Sequence, residues 1–323
     1  MDVLSDWMRT MGTAGVLLAR TRLAAPWGMR MEASEEVSFH IVVEGGCWLR
    51  CKGREPVELL QGDLVVLPTG AAHELVHEPR GRAEPLEELI ARVRRAPPPK
   101  GRTSLVMCGA YRSDAGLAHP LLRALPPVAH FPAARIRAHA ALAATVGLLV
   151  AEAERPGPGS DVLVQHLFDA LFLYLVRAWA EEDAEARPGW LSALRDEALS
   201  RALARMHEKP AAPWTVESLA REAGMSRAVF ARRFTQEVGE PPLAYLTGWR
   251  MGLASRLLRE SEASLAEVAS RVGYDSEFAF SRAFKRSRGL APMAFRRAGV
   301  EEMAPGAPRG GAGRAGGRAG ARG

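Results

Sequence analysis

The sequence predicts an α+β multidomain chain: a small N-terminal β-barrel followed by helices, then a C-terminal all-α domain built as a tandem helix-turn-helix. Three observations predict it. Short apolar runs punctuated by Gly and Pro fill residues 12 to 76, Ala/Leu-rich helical segments dominate from Pro120 onward, and one helix–turn–helix pattern occurs twice near the C-terminus. At 323 residues the chain has room for two domains, each with its own core. The expected boundaries are 1–120 for the β-domain, 121–185 for a helical dimerisation or linker segment, 190–298 for the tandem unit and 301–323 for a disordered tail.

In the first domain, Ser38–Val43 and Cys47–Cys51 flank Glu44-Gly45-Gly46, which reads as a hairpin. Asp63–Leu67 is a buried-strand run stopped by Pro68-Thr69-Gly70. From Glu78 to Arg102 the chain is polar and Pro-rich, and Pro97-Pro98-Pro99 marks an exposed loop or insertion. Ser104–Tyr111 reads as a returning strand.

Helix is expected over Ala133–Glu154, ended by Pro156-Gly157-Pro158-Gly159, and again over Asp161–Ala180. The second of these is apolar nearly all round and must be covered on all sides. One side fits the β-domain and the other a second subunit or the tandem unit, with Leu171 and Leu175 placed on the seam. Glu181–Pro188 is an acidic hinge, helix resumes over Trp190–His207, and past Val300 a Gly/Ala/Arg/Pro tail is too poor in apolar surface to fold.

The repeated motif carries the most information. Its first copy runs Leu219-Ala220, Ala223-Gly224-Met225-Ser226, Phe230-Ala231-Arg232-Arg233-Phe234, Gly239 and Pro242. Its second runs Val268-Ala269, Val272-Gly273-Tyr274, Ser276, Phe280-Ser281-Arg282-Ala283-Phe284, Gly289 and Pro292. Each is a short apolar helix, a glycine turn, a Ser at an N-cap and a second helix carrying arginines, the layout whose second helix enters a DNA major groove. Helical spacing pairs Phe230 with Phe234 and Phe280 with Phe284 as core, and turns Arg232 and Arg282 outward at equivalent positions. There a guanidinium can bond guanine O6 and N7, while Ala228 and Ala231 permit close approach and thymine-methyl contact. Ser281 lies beside Arg282, and Phe278 either meets a thymine methyl or turns into the core. Arg227, Arg233, Lys285 and Arg286 suit phosphate. Between the copies, Pro241–Leu258 reads as a linker helix holding two modules at a fixed separation, against a major-groove repeat of about 34 Å.

Composition agrees. From Trp214 to Arg297 fourteen Lys/Arg face nine Asp/Glu, so this third carries +5 of a whole-chain +6, an electrostatic footprint suited to phosphate. No run approaches the roughly 18 uninterrupted apolar residues of a membrane span, and no signal peptide is visible, so a cytoplasmic protein with no membrane partner is expected. No nucleophile motif or phosphate-cradling loop appears, so no enzyme is expected.

The segment from about Trp190 to Arg297, above all Val268–Arg296 with its Gly-Tyr turn, Phe-Ser-Arg-x-Phe-Lys-Arg, Gly, Pro and closing Phe295-Arg296, resembles the AraC/XylS family of bacterial transcription regulators. Phe295 stands where Tyr is commoner, and Phe278 where the residue is often polar. Gly62-x5-Pro68-x-Gly70-x2-His73 resembles the second motif of the cupin superfamily, and His40-x3-Glu44 a reduced form of the first. The resemblance implies a cupin-type sensor that binds an effector or carries dimer contacts, duplex DNA as partner, a homodimer, and RNA polymerase as a further partner if the chain is an activator.

Two readings of the sensor remain open. His40, Glu44 and His73 are candidate ligands for an effector or a divalent metal, although one His of the cupin set is missing; the cofactor is unknown. Cys47, Cys51 and Cys108 are either small apolar core residues or thiols that answer an oxidant. Cys47 and Cys51 share a strand face about 13 Å apart, too far for direct bridging, so either would pair with Cys108. The alternatives to an effector- or redox-responsive regulator are an architectural DNA-binding protein whose barrel only dimerises, and a cupin enzyme.

Overall fold

The computed structural model describes residues 3–10, 14–34, 36–95, 101, 103–112, 122, 125–182 and 190–303. The chain opens with helix α1 (Val3–Thr10), then strands β1 (Ala14–Ala24), β2 (Gly28–Met31), β3 (Val37–Glu44), β4 (Gly46–Cys51), β5 (Val57–Leu60), β6 (Leu64–Leu67), β7 (His73–Val76) and β8 (Glu84–Pro85). Helix α2 (Leu86–Arg95), β9 (Thr103–Arg112) and β10 (Ala129–Phe131) complete the β-domain, which therefore draws its last strand from beyond residue 120. Helices α3 (Ala133–Ala138), α4 (Ala140–Glu154) and α5 (Ser160–Glu182) follow, then α6 (Trp190–Arg195), α7 (Glu197–Glu208), α8 (Val216–Glu222), α9 (Arg227–Val238), α10 (Pro242–Glu260), α11 (Leu265–Arg271), α12 (Glu277–Arg288) and α13 (Pro292–Met303).

The strands form two five-stranded sheets, β1-β9-β3-β6-β10 and β5-β4-β7-β2-β8, stacked over a shared core. Period-two alternation explains the layering. Along β3, His40 and Val42 are buried on one face, and Val42 joins Leu23, Met29, Cys47, Leu49, Leu59, Val65, Leu75, Val106 and Cys108 between the sheets. Val37, Phe39 and Ile41 face the other way and pack with Leu64, Val66, Met107, Tyr111 and the helices. The first sheet is thus covered on both sides, which is why Leu64–Leu67 is apolar without alternation.

The expected hairpin at Glu44–Gly46 is not formed. β3 pairs with β6 and β9, whereas β4 pairs with β5 and β7 in the other sheet. A bulge at Val42/Glu44 and a positive φ of 74° at Gly45 carry the chain round the corner between sheets instead. The segment read as a polar loop contains α2, whose Leu89 enters the inter-sheet core. Pro97–Pro99, the hinge at 183–188 and the tail from residue 304 lie outside the described residues, and α13 extends to Met303.

Helix α5 docks across the first sheet. Its Phe168 lies 5.9 Å from the Phe39 ring, and Phe172 stacks on Tyr111 at 5.0 Å. Leu171 is 0% and Leu175 4% exposed inside this single chain, so neither can form a subunit seam as expected from sequence. The apolar side chains left outside are Val162 and Leu163 of α5 and Leu148 of α4. By length and composition α5 is also the one helix, among the described residues, that could cross a membrane; here its Phe168, Leu171, Phe172, Leu175 and Val176 fill the protein core.

Helix α1 was not foreseen. Eight residues are too few to be helical alone, and tertiary packing supplies the stability. Trp7 is fully buried against Phe172 at 5.8 Å, α1 touches α7 and α10, and Arg256 Nη1 on α10 donates to the Arg9 carbonyl at 2.8 Å. Trp7→Ala should cost about 3–5 kcal/mol, as emptying a buried indole site does. Urea unfolding checks this, and an unchanged midpoint would show α1 undocked.

Candidate nucleic-acid interface

The two C-terminal modules are built alike down to single hydrogen bonds. Thr215 and Ser264 begin α8 and α11 with capping boxes, using Ser218 and Glu267. Each first helix ends in a glycine at positive φ, 67° at Gly224 and 77° at Gly273, with Met225 and Tyr274 donating to the Ala220 and Ala269 carbonyls at 2.9 Å. At Gly273 a Cβ would come within 2.9 Å of the Ala211 backbone, so both conformation and space demand glycine. Ser226 and Ser276 then cap α9 and α12 by accepting from Val229 and Ala279, as the sequence predicts, and Gly239 and Gly289 close them in left-handed geometry.

The paired phenylalanines hold each second helix in place. Phe230 and Phe234 lie 5.5 Å apart, Phe280 and Phe284 5.6 Å, each pair at the same 53°. Tyr245 and Phe295 cover them from α10 and α13. Opposite these cores, Arg227, Ala228 and Arg232 on α9 are exposed and Ala231 is half-buried; on α12 Phe278, Arg282, Lys285 and Arg286 are exposed and Ser281 is half-buried. Of the sequence-predicted residues, Arg282 and Phe278 meet, the guanidinium 5.6 Å from the ring centroid. Arg233 is turned aside: it pairs with Asp196, the carboxylate that caps α7.

Helix α10 fixes the spacing. Arg250 Nε and Nη2 donate to the Pro210 and Ala212 carbonyls at 2.7 and 2.9 Å, while Arg296 on α13 reaches back to Leu258 and Ala263 at 3.0 and 2.6 Å. His207 of α7 stacks on Trp249 at 3.6 Å and shares a 2.8 Å hydrogen bond with the Tyr245 hydroxyl. Sequence reasoning missed these clamps because a lone Arg or His carries no spacing signal.

In the β-domain the structure assembles only part of the expected ligand set. His73 Nδ1 donates to the Ala71 carbonyl at 2.7 Å, which leaves Nε2 as acceptor for His40 Nε2–H, also at 2.7 Å; these tautomers follow from the hydrogen-bond network. Glu44 does not join them. It lies outside, paired bidentately with Arg22 at 2.5 and 2.7 Å, and that guanidinium holds its carboxyl below the usual range. Among the described residues no three His, Cys, Asp or Glu are placed to hold a metal. Cys47 and Cys108 are buried and Cys51 half-buried, all as free thiols, with Cys108 Sγ 3.8 Å from Met29 Sδ. Burial pushes Cys47 and Cys108 up to about 12, leaving on the order of 10⁻⁵ as thiolate at neutral pH.

Burial also holds His40 and His73 below the ordinary imidazole value and His207 at about 3. His207 is neutral in the fold at pH 5 and burial disfavours the charged form of His40 and His73, whereas unfolded imidazoles charge below about pH 6.5. The unfolded state therefore binds more protons, and stability is lost as pH falls through that value, by up to about 1.4 kcal/mol per unit for each group. Urea midpoints at pH 7.5 and 5.0 should show this loss, with a shallower dependence in His207→Gln; identical dependence in that variant would remove His207 from it.

A family model described as Cupin matches residues 2–181, and one described as Helix-turn-helix domain matches 219–298. The chain is 34% identical over 300 residues to a Streptomyces lividans protein named as an AraC-like transcription regulator, covering 92% of this chain and 98% of that one. It is 34% identical over 285 residues to the HTH-type transcriptional regulator AlkR of Acinetobacter baylyi, covering 84% and 90%. Over 308 residues it is 28% identical to the RCS-specific HTH-type transcriptional activator RclR of Escherichia coli, covering 94% and 100%. Among solved structures, the DNA-binding domain of AdpA in complex with a target DNA matches with 37% identity and a TM-score of 0.32, over 33% of this chain and 96% of that one. With the duplicated modules, this coverage places the chain in the AraC family of DNA-binding transcription regulators, its N-terminal half a cupin domain.

Proposed function

We propose that the protein is a cytoplasmic, sequence-specific regulator, not an enzyme, whose α9 and α12 read two successive major grooves of one DNA face. The observation that carries this is the equivalence of the two modules: identical caps, identical phenylalanine pairs, and Arg232 and Arg282 outward at matching positions across a clamped linker helix. Arg232 and Arg282 take guanine edges, Ala228, Ala231, Phe278 and Ser281 line the approach, and Arg227, Lys285 and Arg286 take phosphate. Arg233 contributes its charge only after leaving Asp196.

The β-domain serves as sensor and the protein works as a homodimer. Val162, Leu163 and Leu148, each at least half exposed, supply the self-complementary apolar face. An effector that changes dimer geometry then changes whether two DNA-binding units engage together, an avidity effect needing no new contact. The high pKa of Cys47 and Cys108 favours a small molecule over an oxidant as that effector. RNA polymerase becomes a partner if the protein activates.

Arg282→Ala should weaken binding to a duplex selected from a random-sequence pool by about 5- to 150-fold, and binding to random DNA far less. Lys285→Ala should weaken both alike and lower the salt slope by about one. Fluorescence anisotropy across salt concentrations measures both, and equal losses for Arg282→Ala would reassign it to phosphate. Leu163→Glu should shift sedimentation toward monomer while leaving the fold intact; unchanged sedimentation would remove that face from the dimer.

A further inference from the structure

We infer that Phe278 and Arg282 act as one reading unit, in which the phenyl ring selects a thymine methyl one or two base-pair steps from the guanine taken by the arginine. The inference rests on the groove-reading proposed above and extends it to base identity in one half of the site. Phe278 is 71% exposed, more than any other large apolar side chain among the described residues. It faces away from the core, since Phe280 and Phe284 of the same helix are fully buried. Its neighbours on the outward face are cationic: Arg282 one turn on, then Lys285 and Arg286. Asp275 and Glu277 are exposed at the helix start, but three cations follow along the outward face, which suits a polyanion better than an apolar protein groove.

The pair is also geometrically defined. The Arg282 guanidinium lies 5.6 Å from the Phe278 centroid, within cation–π range, so ring and fork restrict each other before DNA arrives. Phe278 is the second residue of α12, at the helix end that reaches base edges in helix-turn-helix docking. Four residues of helix rise about 6 Å, against about 3.4 Å per base pair, which sets the spacing of one or two steps. In the major groove thymine alone offers an apolar methyl, and a phenyl ring is a partner of matching chemistry. The first module has Ala228 at the equivalent position, so this preference belongs to the α12 half-site.

Full-length wild-type, Phe278→Ala, Phe278→Leu and Arg282→Ala proteins would each select duplexes from a random-sequence library. The wild type should enrich a thymine one or two steps from a guanine in one half-site. Phe278→Ala should lose the thymine and keep the guanine, Arg282→Ala should lose the guanine, and Phe278→Leu should keep part of the thymine preference. Replacing that thymine by deoxyuridine, which removes only the methyl, should weaken the wild type about fourfold and leave Phe278→Ala unchanged. Phe278→Ala enriching the same thymine, or wild-type protein indifferent to deoxyuridine, overturns the inference and returns Phe278 to a protein-facing role. Wild-type protein that binds DNA without enriching any sequence overturns the groove-reading itself. Because Phe278 is exposed, the variants test recognition without challenging the fold.

Discussion

The seating of Phe168 between two glycines is the contact on which the rest of the arrangement depends. A Cβ on Gly15 of β1 would lie 2.1 Å from Phe168 Cβ, and one on Gly109 of β9 would lie 2.4 Å from its Cζ. The ring enters only because both strands lack a side chain there. Any larger residue would lift α5 from the sheet and uncover Phe39, Tyr111 and Met107. With Phe168 seated, Phe172 falls one turn on against Tyr111, and Trp7 closes over Phe172. Trp7 in turn carries α1 to α7 and α10.

One apolar core therefore runs from the sheet through α5 into the first helix-turn-helix, taking in Trp190, Leu203, Phe230, Phe234 and Tyr245. The second module has a separate core of Met251, Leu258, Val268, Phe280, Phe284 and Phe295, joined to the first by α10. Packing continuity gives a strain on the sheet a direct route to α9 and an indirect one to α12. A continuous core transmits a signal only if it has two packed arrangements. Repositioning α9 relative to a fixed α12 would change the spacing that one chain can read.

The DNA-binding half was legible because its signals are local. N-cap serines, glycine turns and phenylalanines one turn apart each declare themselves within a dozen residues, and duplication repeats the message. The β-domain was legible strand by strand but not in its pairing. Glu44-Gly45-Gly46 looks the same in a hairpin and in a corner between sheets, and only the demand that β3 bury both faces decides between them. The same blindness moved Leu171 and Leu175 to a subunit seam: all-round apolarity says that a helix is covered, not by what. Glu44 was grouped with His40 and His73 by motif spacing, yet the bulge beside it sends the carboxylate outward to Arg22. Helix α1 was missed because its stability lies in residues more than 100 positions away, from Tyr111 to α10.

Although the modules share a scaffold, their reading faces differ. On α9 the outward set is Arg227, Ala228, Ala231 and Arg232; on α12 it is Phe278, Ser281, Arg282, Lys285 and Arg286. The buried phenylalanine pairs and the outward Arg232 and Arg282 recur in both copies, whereas the exposed Ala228 and Phe278 differ at equivalent positions. If both second helices read DNA as proposed, two unlike readers on one chain address a site with a direction, not a palindrome. Reversing one half-site would then place Ala228 where Phe278 is required. Orientation on DNA, and hence the side from which a neighbouring polymerase is approached, would be set within a single subunit before any second subunit binds.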